Sequence, residues 1–179
     1  RPMNFPRILK KRKGYIDRIK PFMQKSVAKV LTGQRRVGKS FLLYQLIEEI
    51  LAEEPDANII YVNLEDFTFS SLQTAEDLHS YIISHSKEKA KNYIFIDEIQ
   101  DIPGFEKVIR SLLLNEDNDI YITGSNAKML SGELATYLSG RYIEFKIYSL
   151  SYSEFLEFHG LTESETSYEL YSSYGGIPY

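Results

Sequence analysis

Residues 33–40 of this chain are Gly33-Gln34-Arg35-Arg36-Val37-Gly38-Lys39-Ser40. Their spacing, G-x-x-x-x-G-K-S, is the Walker A pattern of a loop whose backbone N–H groups surround a chain of phosphates. Gly33 and Gly38 permit the backbone angles and the close approach that such a loop needs. Lys39 supplies a positive charge for the β- and γ-phosphates, and the Ser40 hydroxyl is a ligand for Mg²⁺. The stretch therefore predicts a binding site for a nucleoside triphosphate.

The sequence on both sides of the loop supports this interpretation. Residues 27–32 are a short apolar run typical of a strand, and a helical pattern starts at Phe41 and ends before Pro55. Strand, glycine-rich loop and helix are the context in which the pattern holds phosphates, because the helix adds the positive end of its dipole. The residues predicted to contact the nucleotide are Gly33, Gln34, Arg35, Arg36, Val37, Gly38, Lys39, Ser40 and Phe41.

Composition limits the class of protein. The chain has 179 residues, of which 43% are hydrophobic, and it has no cysteine. These values exclude wholesale disorder, a disulfide framework and a thiolate metal site, and the length suits one compact domain with the start of another. No apolar run approaches the roughly 18 residues that cross a bilayer, and no signal peptide opens the chain. We therefore expect a cytoplasmic protein without a membrane partner.

Charge is distributed unevenly along the chain, whose formal net charge is −4. Residues 1–40 contain 13 Lys and Arg against one acid, Asp17, whereas the remainder is strongly acidic. The densest basic run is 10–13, Lys-Lys-Arg-Lys. This run indicates either a face for nucleic acid or an acidic partner, or cations that only solvate the N-terminus while Lys39 serves the phosphates. The sequence leaves both interpretations open.

Strand-like and helix-like segments alternate along the chain. The predicted strands are 27–32, 58–64, 93–96, 120–123 and 142–147, and the predicted helices between them are 41–53, 72–91, 105–114 and 127–138. Short, continuous apolar runs such as 93–96 are typical of strands that are buried on both faces. This alternation predicts an α/β fold of three layers, in which a parallel sheet lies between two layers of helices.

The same pattern divides the chain into three regions. Residues 1–20 are predicted to form a basic N-terminal segment and residues 21–148 the P-loop core. Residues 149–179 are predicted to form the helical start of a truncated C-terminal region, with helices over 149–160 and 164–172. The chain stops at Tyr179 on a turn, with no capping element behind it. We therefore expect a further domain beyond Tyr179.

A second chemical signature follows the predicted strand 93–96, which leads directly into Asp97 and Glu98. An acid at the carboxyl end of a buried strand beside the loop's own strand holds Mg²⁺, so Asp97 and Ser40 are the predicted metal ligands. Glu98 is the predicted catalytic residue that orients the attacking water or accepts its proton. The chain has no guanine-selecting Asn-Lys-x-Asp motif, and ATP is therefore favoured over GTP as the nucleotide.

Other polar residues lie near the ends of predicted strands. Ser125 and Asn126 follow the strand 120–123, and either is predicted to sense the γ-phosphate or to cap the next helix. Arg141 is predicted to stabilise charge on the transferred phosphoryl group, in cis or in a neighbouring subunit, or to be a cation at a helix end. Asn63, at the end of the second strand, is a candidate for holding Glu98 in an inactive pose until a partner binds.

Several of these motifs, in this order, resemble the AAA+-like ATPases. They are residues 33–40, Asp97-Glu98, Thr123-Gly124-Ser125-Asn126 and Ser139-Gly140-Arg141. The stretches 122–126, 139–142, 150–155 and 174–178 are similar to one prokaryotic family, in which an AAA-type core precedes a C-terminal domain of unknown function. The resemblance covers about residues 15–179. It implies an ASCE P-loop sheet in the order 5-1-4-3-2 and an ATPase activity, but no particular substrate.

These features together predict Mg²⁺-dependent binding and hydrolysis of ATP by a module that is coupled to a partner or to an appended domain. The alternative is a switch whose signal is the bound nucleotide, with slow or incidental hydrolysis. A further interpretation adds nucleic acid through the basic run 10–13. Beyond the nucleotide, the expected partners are further copies of the chain or a regulatory protein.

Overall fold

The computed structural model describes residues 11–125 and 132–174 of the chain. Within them lies a five-stranded sheet of parallel neighbours. Its strands are β1 (Ala28–Thr32), β2 (Asn58–Asn63), β3 (Asn92–Asp97), β4 (Asn118–Gly124) and β5 (Tyr142–Lys146). The strand order is 2-3-4-1-5, which is the predicted order 5-1-4-3-2 seen from the opposite edge. The predicted fold class is therefore confirmed.

Helices pack on both faces of this sheet. The α-helices are α1 (Lys13–Ile19), α2 (Lys39–Glu53), α3 (Ala75–His85), α4 (Phe105–Leu112), α5 (Gly132–Leu138), α6 (Tyr152–His159) and α7 (Glu165–Tyr174). Short 3₁₀ turns lie at Lys20–Phe22, Phe67–Phe69 and Ile99–Asp101. In the part of the chain that the structure describes, every helix is too short or too polar to cross a membrane.

The sheet separates two hydrophobic clusters, because alternate residues of a strand face opposite sides. On one side, Val30, Ile94 and Ile122 pack with residues of α3, α4 and α5. On the other side, Phe95 stacks on Tyr121, with ring centroids 4.4 Å apart, next to residues of α1 and α2. All residues of β3 and β4 are buried, as expected for strands with a helical layer on each side.

Helix α1 packs against the sheet layer although it lies in the predicted basic segment 1–20. Its Ile16 and Ile19 are buried in the same cluster as Leu42 and Leu46 of α2. The exposed cations Lys13 and Arg18 therefore extend from a helix that is anchored to the core.

The predicted helix 72–91 is wrong at both ends, since α3 covers only Ala75–His85. Its start is fixed by a capping box. The Thr74 hydroxyl accepts a hydrogen bond from the Asp77 N–H, and the Asp77 carboxylate accepts one from the Thr74 N–H. These two bonds satisfy the N–H groups of Thr74 and Asp77. They therefore fix the start of α3 at Ala75.

The loop after α3 is held by Asn92 at the start of β3. The Asn92 side chain accepts a hydrogen bond from the Lys87 N–H at 2.8 Å and donates one to the Lys87 carbonyl at 3.1 Å. These bonds stabilise an irregular loop in place of the last turns of the predicted helix. The first part of the predicted helix 127–138 lies outside the described residues, and α5 is described from Gly132.

Candidate nucleotide-binding site

Three polar segments meet at the carboxyl edge of the sheet. β1 leads into the Walker A loop, β3 ends in Asp97, and β4 leads to Ser125. β4 lies between β3 and β1, so β3 is one strand away from the strand of the loop and not directly beside it as expected from the sequence; because the sheet is parallel, the three carboxyl ends still lie at one edge. The edge brings together the loop and the acids that the sequence places in one site.

Two glycines of the loop are required for steric reasons. A Cβ atom on Gly33 would lie 2.3 Å from the carbonyl oxygen of Ile147, which is a backbone atom and cannot turn aside. Gly38 is the N-cap of α2, with φ 94° and ψ 22°, a left-handed conformation that favours glycine. The structure thus explains why the pattern has glycine at both positions.

Lys39 is the buried cation of the loop, with 4% of the residue exposed. Its Nζ donates hydrogen bonds to the carbonyls of Gly33, at 2.8 Å, and Gln34, at 2.6 Å. Burial lowers the pKa of the ammonium, while the charges of Glu98 and Asp97 act in the opposite direction. A phosphate oxygen is a stronger acceptor for an ammonium than a neutral carbonyl. The lysine is therefore placed where a phosphate can displace the loop carbonyls as its acceptor.

Asp97 is 1% exposed and is surrounded by hydroxyl groups. Its carboxylate accepts hydrogen bonds from Thr123, from Tyr61 at 3.3 Å and from Ser40. Burial raises the pKa of Asp97, and the bonds from Ser40 and Thr123 oppose that rise. The Ser40 hydroxyl and the Asp97 carboxylate form an adjacent pair of oxygen donors, which are the ligands that Mg²⁺ prefers. The donor chemistry therefore fits the predicted metal.

Glu98 combines an unusual backbone conformation with a carboxylate that is bonded on both oxygens. Its φ of 56° and ψ of 47° are left-handed, which costs a residue other than glycine about 1–3 kcal/mol. The Glu98 N–H donates to Thr123 Oγ1 at 2.9 Å. Oε1 accepts from the Ser125 hydroxyl at 2.7 Å, and Oε2 accepts from the Gln100 amide at 2.5 Å. Two side-chain hydrogen bonds thus orient the carboxylate of Glu98, the predicted catalytic residue.

The roles of Thr123 and Gln100 were missed in the sequence. Thr123 is the next-to-last residue of β4 and lies beside Asp97, and a hydroxyl near that strand end was a usable signal. Gln100 lies in a 3₁₀ turn two residues after Glu98, and its Oε1 is buried with no hydrogen-bond partner among residues 11–125 and 132–174. Nothing in the spacing distinguishes this glutamine from an ordinary surface residue.

The structure places the two candidate sensors and Asn63 differently. Ser125 contacts Glu98, whereas Asn126 lies outside the described residues. Among the described residues no hydrogen bond joins Asn63 to Glu98, and the Asn63 Oδ1 accepts the Glu65 N–H at 3.0 Å in a turn after β2. The suggested Asn63 contact is therefore replaced by Ser125 and Gln100.

Arg141 lies far from the site of its own chain. Its carbonyl accepts the Ala28 N–H at the first residue of β1, and its guanidinium donates to the Leu113 carbonyl at 3.4 Å, after α4. Both contacts are at the amino end of the sheet, while the Walker A loop follows the carboxyl end of β1. Four residues of extended strand span about 13 Å, which is more than an arginine side chain reaches.

Two cavities lie next to the loop. One has a volume of about 400 Å³ and is lined by Arg35, Arg36, Gly38, Lys39, Ser40, Phe41, Glu65 and Glu98. At its rim, Arg35 pairs with Glu65 at 3.0 Å. The other measures about 580 Å³ and lies between the loop and β5, lined by Gly33, Gln34, Val37, Ser125, Glu144, Ile147 and Tyr148 among others. Both volumes fall in the range of small-molecule sites.

Two cations of the basic run 10–13 are engaged within the molecule. Lys11 pairs with Glu49 of α2 at 2.6 Å. Arg12 is buried and pairs with Glu154 of α6 at 2.8 Å. Lys13 is exposed, and Lys10 lies outside the described residues. The run therefore offers less free charge to a nucleic acid than its sequence indicates.

Comparison with known proteins gives the family. A family model described as an AAA domain matches residues 25–156, most of the chain. The chain belongs to the AAA domain family. Relatives of this AAA domain include an uncharacterized protein of Haemophilus influenzae, 41% identical over 178 residues that cover 93% of this chain and 43% of that protein. Uncharacterized protein MJ1544 of Methanocaldococcus jannaschii is 37% identical over 131 residues, 73% of this chain and 28% of that protein. The chain thus spans less than half the length of these relatives.

Solved structures share the fold of the AAA domain. One is the Aeropyrum pernix ORC1 protein in complex with DNA, with a TM-score of 0.58 and 14% identity, covering 92% of this chain and 51% of that one. Another is AMPPCP-bound DnaA from Aquifex aeolicus, with a TM-score of 0.54 and 17% identity, covering 93% and 57%. At these identities the likeness concerns the fold alone. Family and fold are those of the AAA+-like P-loop ATPases, which confirms the resemblance drawn from the motifs.

Proposed function

We propose that this AAA domain binds ATP with Mg²⁺ and hydrolyses it, and that the state of the nucleotide is transmitted to a partner or an appended domain. The observation that carries the proposal is the convergence of Lys39, Ser40, Asp97 and Glu98 at one edge of the sheet. Nucleotide hydrolysis requires a loop that binds the phosphates, a pair of oxygen ligands for Mg²⁺ and a carboxylate that orients the attacking water.

Each side chain has a separate role in this proposal. The backbone N–H groups of the Walker A loop bind the phosphates, and Lys39 exchanges its loop carbonyls for phosphate oxygens. Ser40 and Asp97 hold Mg²⁺, which when bound supplies positive charge that stabilises the transferred phosphoryl group. Glu98 orients the attacking water and accepts its proton. The cavity between the loop and β5 has room for the base and ribose.

The test compares nucleotide binding with turnover in two variants. Lys39→Ala removes a charge-assisted contact of about 1.5–3 kcal/mol, so ATP affinity should fall roughly tenfold to a hundredfold. Glu98→Gln should retain ATP binding but lose steady hydrolysis. Titration with a fluorescent nucleotide in Mg²⁺ measures the first effect, and phosphate release measures the second. Undiminished affinity in a folded Lys39→Ala protein would contradict the assignment of the loop.

A nucleotide switch with slow hydrolysis is a second candidate, and the pose of Glu98 favours it. Both carboxylate oxygens are hydrogen-bonded, by Ser125 and Gln100. These bonds hold the carboxylate in one orientation and occupy one acceptor position on each oxygen, which leaves fewer positions for the attacking water. A wild-type protein that binds ATP tightly but hydrolyses it less than about once per hour, with and without candidate partners, would favour the switch over the ATPase.

DNA or RNA is a further candidate partner, suggested by the basic run and by a neighbour of the same fold, ORC1, whose structure is in complex with DNA. Lys13 is exposed, whereas Lys11 and Arg12 are in ion pairs. If nucleic acid binds here, Lys13→Gln together with Lys10→Gln should weaken binding and flatten its salt dependence. The absence of salt-dependent binding by the wild type at low ionic strength would rule this partner out.

A further inference from the structure

Arg12 connects three segments that are far apart in the sequence. Its side chain is 4% exposed. Nη1 donates to the carbonyl oxygen of Val37 in the Walker A loop at 2.9 Å. Nε and Nη2 donate to the two carboxylate oxygens of Glu154 in α6 at 2.8 and 3.2 Å. The Arg12 N–H also donates to Gln45 Oε1 of α2 at 3.1 Å, so the backbone of this arginine is fixed as well.

The contact with Val37 fixes the orientation of a peptide group in the phosphate loop. The peptide that joins Val37 to Gly38 is planar and trans, so its C=O and its N–H point in opposite directions. When Arg12 holds the Val37 carbonyl on one side, the Gly38 N–H must point to the other. Gly38 lines the cavity with Lys39 and Ser40, whereas Val37 lines the cavity between the loop and β5. Arg12 therefore holds a backbone donor of the loop in the orientation that a bound phosphate needs.

The contact with Glu154 connects this peptide to the first helix after the sheet. Glu154 is the third residue of α6 and also accepts the Ser151 N–H in the capping box that starts the helix. A buried guanidinium without a counter-charge is costly, because its desolvation is then uncompensated. The desolvation cost of the Arg12 guanidinium is therefore offset only while Glu154 pairs with it. Glu154 can pair with Arg12 only while α6 packs in its observed position, which we call the seated position.

The aromatic contacts of Arg12 reinforce this arrangement. Its guanidinium lies over the ring of Tyr15, 4.5 Å from the centroid. The Tyr15 hydroxyl in turn accepts the N–H of Tyr148, which lines the cavity beside β5. Tyr148, after β5, and Glu154, in α6, are thus tied to Tyr15 and Arg12 at the start of α1.

We propose that Arg12 is a positioning residue for the phosphate loop, and that its ion pair with Glu154 makes nucleotide affinity depend on the seating of α6. The inference rests on the proposed function, since it deepens the account of the same site. Linkage is reciprocal, so bound nucleotide stabilises α6 by the same factor by which a seated α6 raises the affinity. Helix α6, none of whose residues lines either cavity, thereby receives the state of the loop.

The primary test is the Glu154→Gln variant, because in the part of the chain that the structure describes Glu154 is linked to the loop through Arg12. We expect its affinity for ATP with Mg²⁺ to fall about fivefold or more, the lower end of typical coupling between sites. The matched control is Glu157→Gln, an exposed glutamate on the same helix, which should bind as the wild type does. In the double variant Arg12→Gln/Glu154→Gln the loss should be no greater than in Arg12→Gln alone, since the two residues act as a unit.

Hydrogen exchange of the Glu98→Gln protein, which should keep ATP bound without hydrolysing it, gives a second measurement whose first part needs no substitution at Arg12 or Glu154. Exchange of the α6 amides, 152–159, should slow when ATP and Mg²⁺ are added to the Glu98→Gln protein. The same addition should leave α6 exchange unchanged in the double variant Glu98→Gln/Glu154→Gln. A folded Glu154→Gln protein with wild-type affinity, or α6 exchange that ATP leaves unchanged, would overturn the proposal and leave Arg12 a structural contact. If the wild type and Glu157→Gln fail to bind ATP at all, the proposed function itself fails and the inference fails with it.

Discussion

Thr123 links the two acids of the site through a single hydroxyl group. Its Oγ1 donates to the Asp97 carboxylate and accepts the Glu98 N–H at 2.9 Å. A hydroxyl can act as donor and acceptor together, whereas valine, which has nearly the same shape, can do neither. The relative positions of the metal ligand and the candidate base therefore depend on this buried side chain.

Replacing that hydroxyl should affect both stability and metal dependence. Thr123→Val leaves the buried Glu98 N–H without its acceptor, and we expect the free energy of unfolding to fall by about 1–3 kcal/mol. It also removes a hydrogen bond that orients Asp97, so the Mg²⁺ concentration needed for half-maximal ATP binding should rise. Urea denaturation measures the first effect, and nucleotide titration at a series of Mg²⁺ concentrations measures the second.

Thr32→Val is the matched control for this substitution. Thr32 ends the neighbouring strand β1, and its hydroxyl donates to Glu144 at 2.7 Å in an exposed setting. We expect a change within about 0.5 kcal/mol, as for most surface positions. Equal losses of stability in the two variants would show that the hydroxyl of Thr123 has no special role.

Single residues differ in how well the sequence predicts them. Lys39, Ser40 and Asp97 could be predicted because each is fixed by its distance along the chain from a glycine or a strand end. The pairing of Arg12 with Glu154 joins residues 142 positions apart, and no local spacing indicates it. Gln100 was missed for a different reason, since its contact with Glu98 depends on a left-handed turn that a non-glycine residue rarely adopts.

At the scale of elements, the parallel strands followed from the apolar runs and the strand order was implied by the family resemblance, whereas the helix ends did not all follow. Apolar runs and their order along the chain gave five parallel strands, because buried strands between helices leave few arrangements. The ends of α3 instead depend on the capping box at Thr74 and on the side-chain bonds of Asn92. The capping box could be found in the sequence as Thr-x-x-Asp. The Asn92 bonds are contacts between the loop and β3, and no pattern in the sequence indicates them.

The strands β1 and β4 are joined by a buried ion pair at their amino ends. Lys29 and Asp119 have no exposed side-chain surface, and their charged atoms are 2.5 Å apart. Asp119 also accepts hydrogen bonds from the Tyr121 hydroxyl at 2.7 Å and the Gln24 N–H at 2.9 Å. Removing one member of such a pair is far more costly than removing a surface pair, because the remaining charge stays buried.

We predict that Asp119→Asn lowers the free energy of unfolding by about 3–5 kcal/mol, the usual loss for a broken buried pair. The control is Glu49→Gln, which removes the partner of the more exposed cations Lys11 and Lys20 and should cost less than about 1 kcal/mol. Urea denaturation at neutral pH compares the two variants. A loss in Asp119→Asn no larger than in Glu49→Gln would mean that the buried pair contributes no more than a surface one.

The pH dependence of this variant has a definite sign. Burial lowers the pKa of Lys29 below its usual 10.5, and Asp119 opposes that shift. Without the aspartate, the pKa in the folded state falls further, so the charged lysine is penalised at every pH below that lowered value. The penalty then shrinks as the pH rises towards 10.5, where the unfolded chain also loses the proton. The difference in stability between Asp119→Asn and the wild type should therefore decrease at alkaline pH.

At the scale of the whole molecule, the two ends of the sheet carry different parts of the proposed reaction. The loop, Asp97 and Glu98 lie at the carboxyl end, whereas Arg141 lies at the amino end with its guanidinium on the Leu113 carbonyl. The sequence left open whether this arginine acts in cis or in a neighbouring subunit. In this fold it cannot reach its own loop, so any catalytic role requires another copy of the chain.

This geometry predicts complementation between two inactive proteins. Arg141→Ala keeps an intact loop but offers no arginine to its neighbour, whereas Lys39→Ala offers the arginine but has a defective loop. If Arg141 acts in trans, the first variant alone should lose about 10³-fold or more of its hydrolysis rate, the typical contribution of such an arginine, and mixing the two should restore part of it. Phosphate release at concentrations that allow association measures the effect. Arg110→Ala, an exposed arginine on α4, is the control and should hydrolyse ATP normally. An Arg141→Ala protein with normal turnover, or a mixture that stays inactive, would contradict the role in trans, because the reach of the side chain leaves no alternative within one chain.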